Sequence, residues 1–321
     1  MRRTALIVCI LLALALPVQA SQQRGAYRSV LAEPHPPNSQ EIRRIRRTVS
    51  ILSNFNEHFA FSPDGTRIAA AGSETTVNVW HVDTGDIIYT LAHAGTSVSW
   101  SPDGRWIAAG TFRGPFRVWD AATGALAFEL DSDSGRHSSW APDCRRFVTN
   151  AINIHDGTTG AIITELGLNW NIPYEAHWSP DGTMIATTGN WGRDYMHLWS
   201  SDGERLDTFW AGTSAAWSPD STRLASAYQV RDVATGLPVM VIPEMVGVIA
   251  WHPDGEWISS ATADGVFLWD AETGGQVTVW PFGDCQTRGF AWSPDGQRFA
   301  LNCLRLGTDP GYDLVVGELA Q

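Results

Sequence analysis

Trp100-Ser-Pro-Asp-Gly-Arg-Trp-Ile-Ala-Ala109 carries the plan of most of the chain. An aromatic closes a buried strand. Pro102 presets φ for a turn, Asp103 can hydrogen-bond the turn backbone, and Gly104 accepts positive φ. The apolar run that follows opens a second strand. The same phrase returns as Phe61-Ser-Pro-Asp-Gly, Trp140-Ala-Pro-Asp-Cys, Trp178-Ser-Pro-Asp-Gly, Trp217-Ser-Pro-Asp-Ser, Trp251-His-Pro-Asp-Gly and Trp292-Ser-Pro-Asp-Gly. Successive copies are 39, 40, 38, 39, 34 and 41 residues apart. A period near forty residues indicates an array of supersecondary units and not two conventional domains.

Each unit continues in the same way. Alternating segments such as Val77-Asn-Val-Trp80 and Phe116-Arg-Val-Trp119 have the period of a half-buried strand. A hairpin signal follows them, as in Thr84-Gly85, Thr123-Gly124, Thr159-Gly160, Asp202-Gly203, Thr235-Gly236 and Thr273-Gly274. An outer strand comes next, for example Ile87-Ile-Tyr-Thr-Leu91. Four antiparallel strands make one propeller blade, so the chain is expected to be an all-β, seven-bladed β-propeller. The last unit ends after Asp313-Leu-Val-Val-Gly317 without a fourth strand. Thr48-Val-Ser-Ile-Leu52 ends nine residues before Phe61, as Leu91 stands nine residues before Trp100. That spacing predicts an N-terminal strand that completes the last blade, with the propeller over residues 48–321.

The residues before it read as two short segments. Arg2 and Arg3, the apolar stretch from Ala5 to Leu16, and the small-residue site ending at Ala20 predict a signal peptide over 1–20. The apolar stretch is shorter than the ~20 residues a membrane span needs, so the mature chain is expected to be secreted or periplasmic and without a transmembrane segment. Residues 21–47 read as a flexible tether, with Arg43, Arg44, Arg46 and Arg47 as a solvated basic run. Across the 321 residues there are 34 acids and 22 bases, every base an Arg, for a net charge of −12. That balance repels a phosphate backbone and argues against nucleic acid as a partner.

Trp119-Asp120 and Trp269-Asp270 end third strands with the dipeptide for which the WD40-repeat family is named, and Trp80-His81 and Trp199-Ser200 are variants of it. With the in-phase turns, residues 48 to about 319 resemble that family. They also resemble TolB-type propellers, which share the Trp-Ser-Pro-Asp-Gly turn. Both resemblances imply the same propeller architecture. The Gly-His dipeptide of WD40 repeats is missing, and the Asp of their b–c turn stands clearly only at Asp264. In WD40-like blades the loops holding Cys285 and Cys303 share a face, which in an oxidising compartment implies a Cys285–Cys303 disulfide closing the last blade.

No nucleophile elbow, zincin helix, phosphate loop or dinucleotide fingerprint occurs, and metal-binding Cys pairs are missing. The nine His show no shared spacing, His155 reads as packing, and the seven turn Asp have structural roles. No catalytic, cofactor-binding or metal-binding residue is therefore assigned, and the chain is not expected to be an enzyme. Fourteen of the sixteen Trp have architectural places, including Trp210 and Trp280 at the ends of outer strands. Trp170 and Trp191 do not. The path from second strand to third-strand Trp position takes 14 residues in blade four but 8 and 7 in blades three and five, so the blade-four hairpin is expected to stand proud. It carries Trp191, Arg193 and Tyr195, with Trp170 and Tyr174 nearby, and these are residue types enriched at interface hot spots. The expected function is an exported protein-binding scaffold using these top-face residues. A small-molecule or glycan receptor stacking sugars on Trp170 and Trp191 is the alternative, with a propeller hydrolase after it. The loop 305–312 of blade seven is a second candidate surface.

Overall fold

The computed structural model describes residues 45–49, 58–71, 76–92, 97–111, 114–130, 135, 137–167, 173–190, 193–212, 214–281, 285–305 and 312–319. The expected signal peptide lies outside them, as do Trp170, Trp191 and residues 306–311. Seven antiparallel sheets occupy 59–92, 97–130, 138–165, 175–210, 215–241, 248–280 and 285–318, and these are blades one to seven. The first six blades run inner to outer strand in chain order. Strand Ile45–Val49 runs antiparallel to the third strand of blade seven, Tyr312–Glu318, with Ile45 opposite Val316 and Val49 opposite Tyr312. This strand lies three residues upstream of the expected one, so Arg46 and Arg47 fall within it; residues 50–52 lie outside the described residues.

The repeated turn forms as its chemistry dictates. In the first copy the Ser62 hydroxyl donates to Asp64 Oδ1 at 2.5 Å, the Thr66 N–H donates to the same oxygen at 3.1 Å, and the Gly65 N–H closes the turn onto the Ser62 carbonyl. The Ser–Asp bond recurs at Ser101–Asp103, Ser179–Asp181, Ser218–Asp220 and Ser293–Asp295. Gly104 takes φ +71°, and where Cys144 and Ser221 replace glycine they still take φ of 59° and 62°. In blade six His252 stands in for the Ser, its Nδ1 2.7 Å from Asp254 Oδ1.

The core is divided. Seven clusters of buried residues among those described each lie between neighbouring blades. Phe61, Ile68, Trp80 and Val82 of blade one share theirs with Ala300 and Val316 of blade seven, so the ring is packed shut between its first and last blades. Polar straps run the same way. Arg67, Arg146 and Arg223, at the start of second strands, donate to the carbonyls of Ala121, Ser201 and Ala271 in the next blade. Arg298 of blade seven meets Asp83 of blade one at 2.7 Å. The Arg67 and Arg146 guanidinium groups also lie over the rings of Trp100 and Trp178. His155 is buried as expected, stacked on Phe147, with Nδ1 3.0 Å from the Gly160 carbonyl; burial lowers its pKa against the pull of that bond.

Candidate functional site

The blade-four hairpin does stand above its neighbours. Its strands, Met184–Asn190 and Arg193–Ser200, are seven and eight residues long, against four and four in blades three and five. Pairing continues to Asn190 opposite Arg193, three residues past the level at which Thr149 and Ser226 end the neighbouring ladders. At the usual strand rise this projects the hairpin roughly 10 Å beyond them.

Of the five expected site residues, Trp170 and Trp191 lie outside the described residues, as does the side chain of Arg193. Tyr174 is half-buried and anchors its segment by donating its N–H to the Thr188 carbonyl at 2.8 Å. Tyr195 is 46% exposed. It sits directly opposite Trp210 on the outer strand Arg205–Trp210, and Trp210 is itself 45% exposed. Trp210 stacks on Tyr228 of blade five, with ring centroids 5.7 Å apart and planes 11° from parallel. Gln229 donates to the Trp210 carbonyl at 2.8 Å and ties the two blades at this point. An open aromatic surface, Tyr195–Trp210–Tyr228, thus flanks the raised hairpin.

Trp210 and Tyr228 were missing from the sequence expectation for a definite reason. Trp210 and Trp280 both end outer strands, yet Trp280 is only 7% exposed and packs on Trp292 and Phe299. Trp280 stands opposite Val266, three residues before its third-strand Trp; in blade four the equivalent partner, Met196, faces Phe209. Trp210 is therefore one residue past the core row, and one residue of register reverses the face of a strand. Tyr228 occupies a tight turn at φ +68°. Ile152 takes the same place in blade three and is buried there.

A second group lies at the top mouth of the central channel, the face that carries the b–c hairpins. Side chains three residues before the turn aromatic share one level of the inner strands. In blades one, three and four these are His58, His137 and Glu175. One nitrogen or oxygen of each lies within 4.8 Å of the other two. The rings of His58 and His137 meet edge to face at 5.6 Å, and those of His137 and His177 at 5.1 Å. His177 Nε2 is 3.0 Å from Glu175 Oε2. Burial pushes the Glu175 carboxyl up, but the His177 hydrogen bond and the imidazoles of His177, His137 and His58 outweigh it and bring the pKa to about 2. Linear intervals between the histidines hide this shared level. The interval becomes visible only when each His is counted back from its own turn aromatic.

In blade seven Cys303 is disulfide-bonded, and Cys144 is the one free cysteine among the described residues. The Cys285 side chain lies outside the described residues; its backbone opposes Arg305, while Cys303 opposes Thr287.

Seven four-stranded blades with an in-phase Pro-Asp turn define a seven-bladed β-propeller. In agreement, the family model described as "WD domain, G-beta repeat" matches residues 57–81, 85–120 and 241–270. The chain is thus a seven-bladed propeller that is similar to WD40 repeats over these three stretches. No curated protein matches the sequence.

Proposed function

We propose that this propeller is an exported, non-catalytic scaffold that binds a protein partner through the top and flank of blade four. The observation that carries the reading is the Tyr195–Trp210–Tyr228 surface beside a hairpin that outreaches both neighbours. Large aromatic side chains bring much contact area at low entropic cost and dominate interface hot spots. The rigid ring holds them in place without the ordering cost of a mobile loop. Export is supported by the leader-like residues 1–20 and by the disulfide at Cys303, since disulfides persist in oxidising compartments. We assign Cys285 as its partner, and Ile45–Val49 as the strand that completes the last blade.

The test is capture from a native extracellular or periplasmic extract by residues 21–321, beside the Trp210→Ala/Tyr228→Ala protein. A protein retained by the first and lost by the second, with an affinity drop of about 30-fold or more as expected for two hot-spot aromatics, supports the reading. Equal capture by both removes blade four from the interface. If neither retains a protein but a glycan panel binds, the partner class is wrong.

A further inference from the structure

We propose that His58, His137 and Glu175 bind one divalent first-row transition-metal ion of the Zn²⁺ class at the top mouth of the channel, leaving a coordination position open to ligand. The argument does not rest on the exposed aromatics of blade four, although Glu175 and His177 stand on that blade's inner strand.

Three observations carry it. The first is convergence. Two imidazoles and a carboxylate arrive from the starts of three separate inner strands, His58 and His137 one residue before theirs, with donor atoms within 4.8 Å of one another. For three such atoms some point lies within about 2.8 Å of all of them, and rotamer adjustments of under about 1 Å reach the 2.0–2.2 Å of Zn–N and Zn–O bonds. Blades one and three can meet because blade two places only the small, buried Ser97 at this level.

The second is support beneath the donors. The His137 main-chain N–H donates to Asn150 Oδ1 at 3.1 Å, and Asn150 Nδ2 donates to the carbonyls of Pro173 and Tyr174, the residues leading into Glu175. One buried amide therefore spaces two of the three donor segments. His177 holds Glu175 Oε2 from the side and acts as a positioning residue. Such outer partners orient ligands in metal sites.

The third is donor chemistry. Two imidazoles with one carboxylate suit Zn²⁺ and its first-row neighbours, whereas Ca²⁺ and Mg²⁺ require mostly oxygen donors. Three protein donors leave the fourth tetrahedral position to water or to a donor atom of a molecule in the channel mouth.

The experiment uses chelator-stripped protein in a Cys144→Ser background, which removes the free thiol as a competing ligand. Zn²⁺ is titrated calorimetrically, and Co²⁺ is followed by its visible absorption. One ion per chain, an intense Co²⁺ band and a higher melting temperature with Zn²⁺ are expected. His58→Gln, His137→Gln and Glu175→Gln should each weaken binding about tenfold or more and abolish the band; His177→Gln should weaken it less. His81→Gln, at an exposed histidine, should change nothing. Circular dichroism checks that each variant is folded, and any that is not leaves the decision to the others. No stoichiometric binding, or binding that survives all three donor substitutions, overturns the proposal.

Discussion

The turn position that closes each inner strand shows how single residues set local strain. A non-glycine residue in the left-handed region costs about 1–2 kcal/mol, and Cys144 and Ser221 both occupy it. They differ in compensation. Ser221 Oγ accepts the Asp181 N–H at 3.0 Å and links blade five to blade four; the Cys144 thiol likewise meets the Asp103 backbone of blade two, besides a long contact to the Pro142 carbonyl, but sulfur is a weaker acceptor than a hydroxyl. Glycine returns the strain but adds unfolded-state freedom worth about 0.4–1 kcal/mol. Cys144→Gly is therefore expected to stabilise by roughly 0.5–1 kcal/mol. Ser221→Gly, which loses the stronger of the two inter-blade hydrogen bonds, is expected to be neutral or destabilising. Thermal melts of the two variants side by side check this, and the same shift in both would refute the distinction. Both turns were legible in sequence because the Pro-Asp pair survives where the glycine does not.

At the scale of strands, the alternation rule placed the elements well and their edges less well. The inner, second and third strands follow from the turn phrase and the Trp that ends each third strand. The outer strands are harder, because each has one buried row and one open row. Ile87, Ile162 and Val239 are all exposed, so apolar character on these strands does not mark the core. Alternation alone therefore puts Trp210 in the same row as Trp280, although the two face opposite ways. The N-terminal strand is tested at this scale too. With Ile45–Val49 laid along Tyr312–Glu318, a chain beginning at residue 50 presents that strand as a free edge. The shortened chain is expected to melt lower and to self-associate at high concentration in size-exclusion chromatography. An unchanged melt and a monomeric profile would show that the strand is dispensable to closure.

Over the whole molecule, stability comes from repeated contacts between blades, and two sets of carboxylates hold the turns from which those contacts depart. Asp64 and Asp181 carry a penalty from burial, outweighed by hydrogen bonds from Ser62 and Thr66, and from Ser179 and Thr183; their pKa values are lowered. In the hairpins between third and outer strands, Asp156 accepts from the hydroxyls and N–H groups of Thr158 and Thr159 and is brought to about 2. Asp120 and Asp232 are lowered by the hydroxyl and N–H groups of Thr123 and Thr235. A carboxyl whose folded pKa lies below its unfolded value lends stability above the unfolded value and loses it as the folded one is passed. The propeller is thus expected to hold its melting temperature down to about pH 4 and to lose it progressively toward pH 2. Because these groups are largely exposed, salt should blunt the effect. A pH series of melts checks it, and a midpoint that rises on acidification through that window would contradict the sign.

The sequence by itself determined the number of blades, their phase, their four-stranded make-up and the rows of Trp and Phe that fill the spaces between them. Those properties are encoded locally, in a turn phrase and a two-residue period that repeat every forty residues or so. It also marked the blade-four hairpin as taller than its two neighbours, because hairpin length is countable. Only the tertiary structure decided which aromatics face outward, since Trp210 and Tyr228 belong to different blades and meet across the seam between them. Only it brought His58, His137 and Glu175 to one point, because the ring folds residues some 40 to 120 positions apart onto one level of a narrow channel. Closure of the ring is a long-range event, and what closure assembles cannot be read from any single repeat.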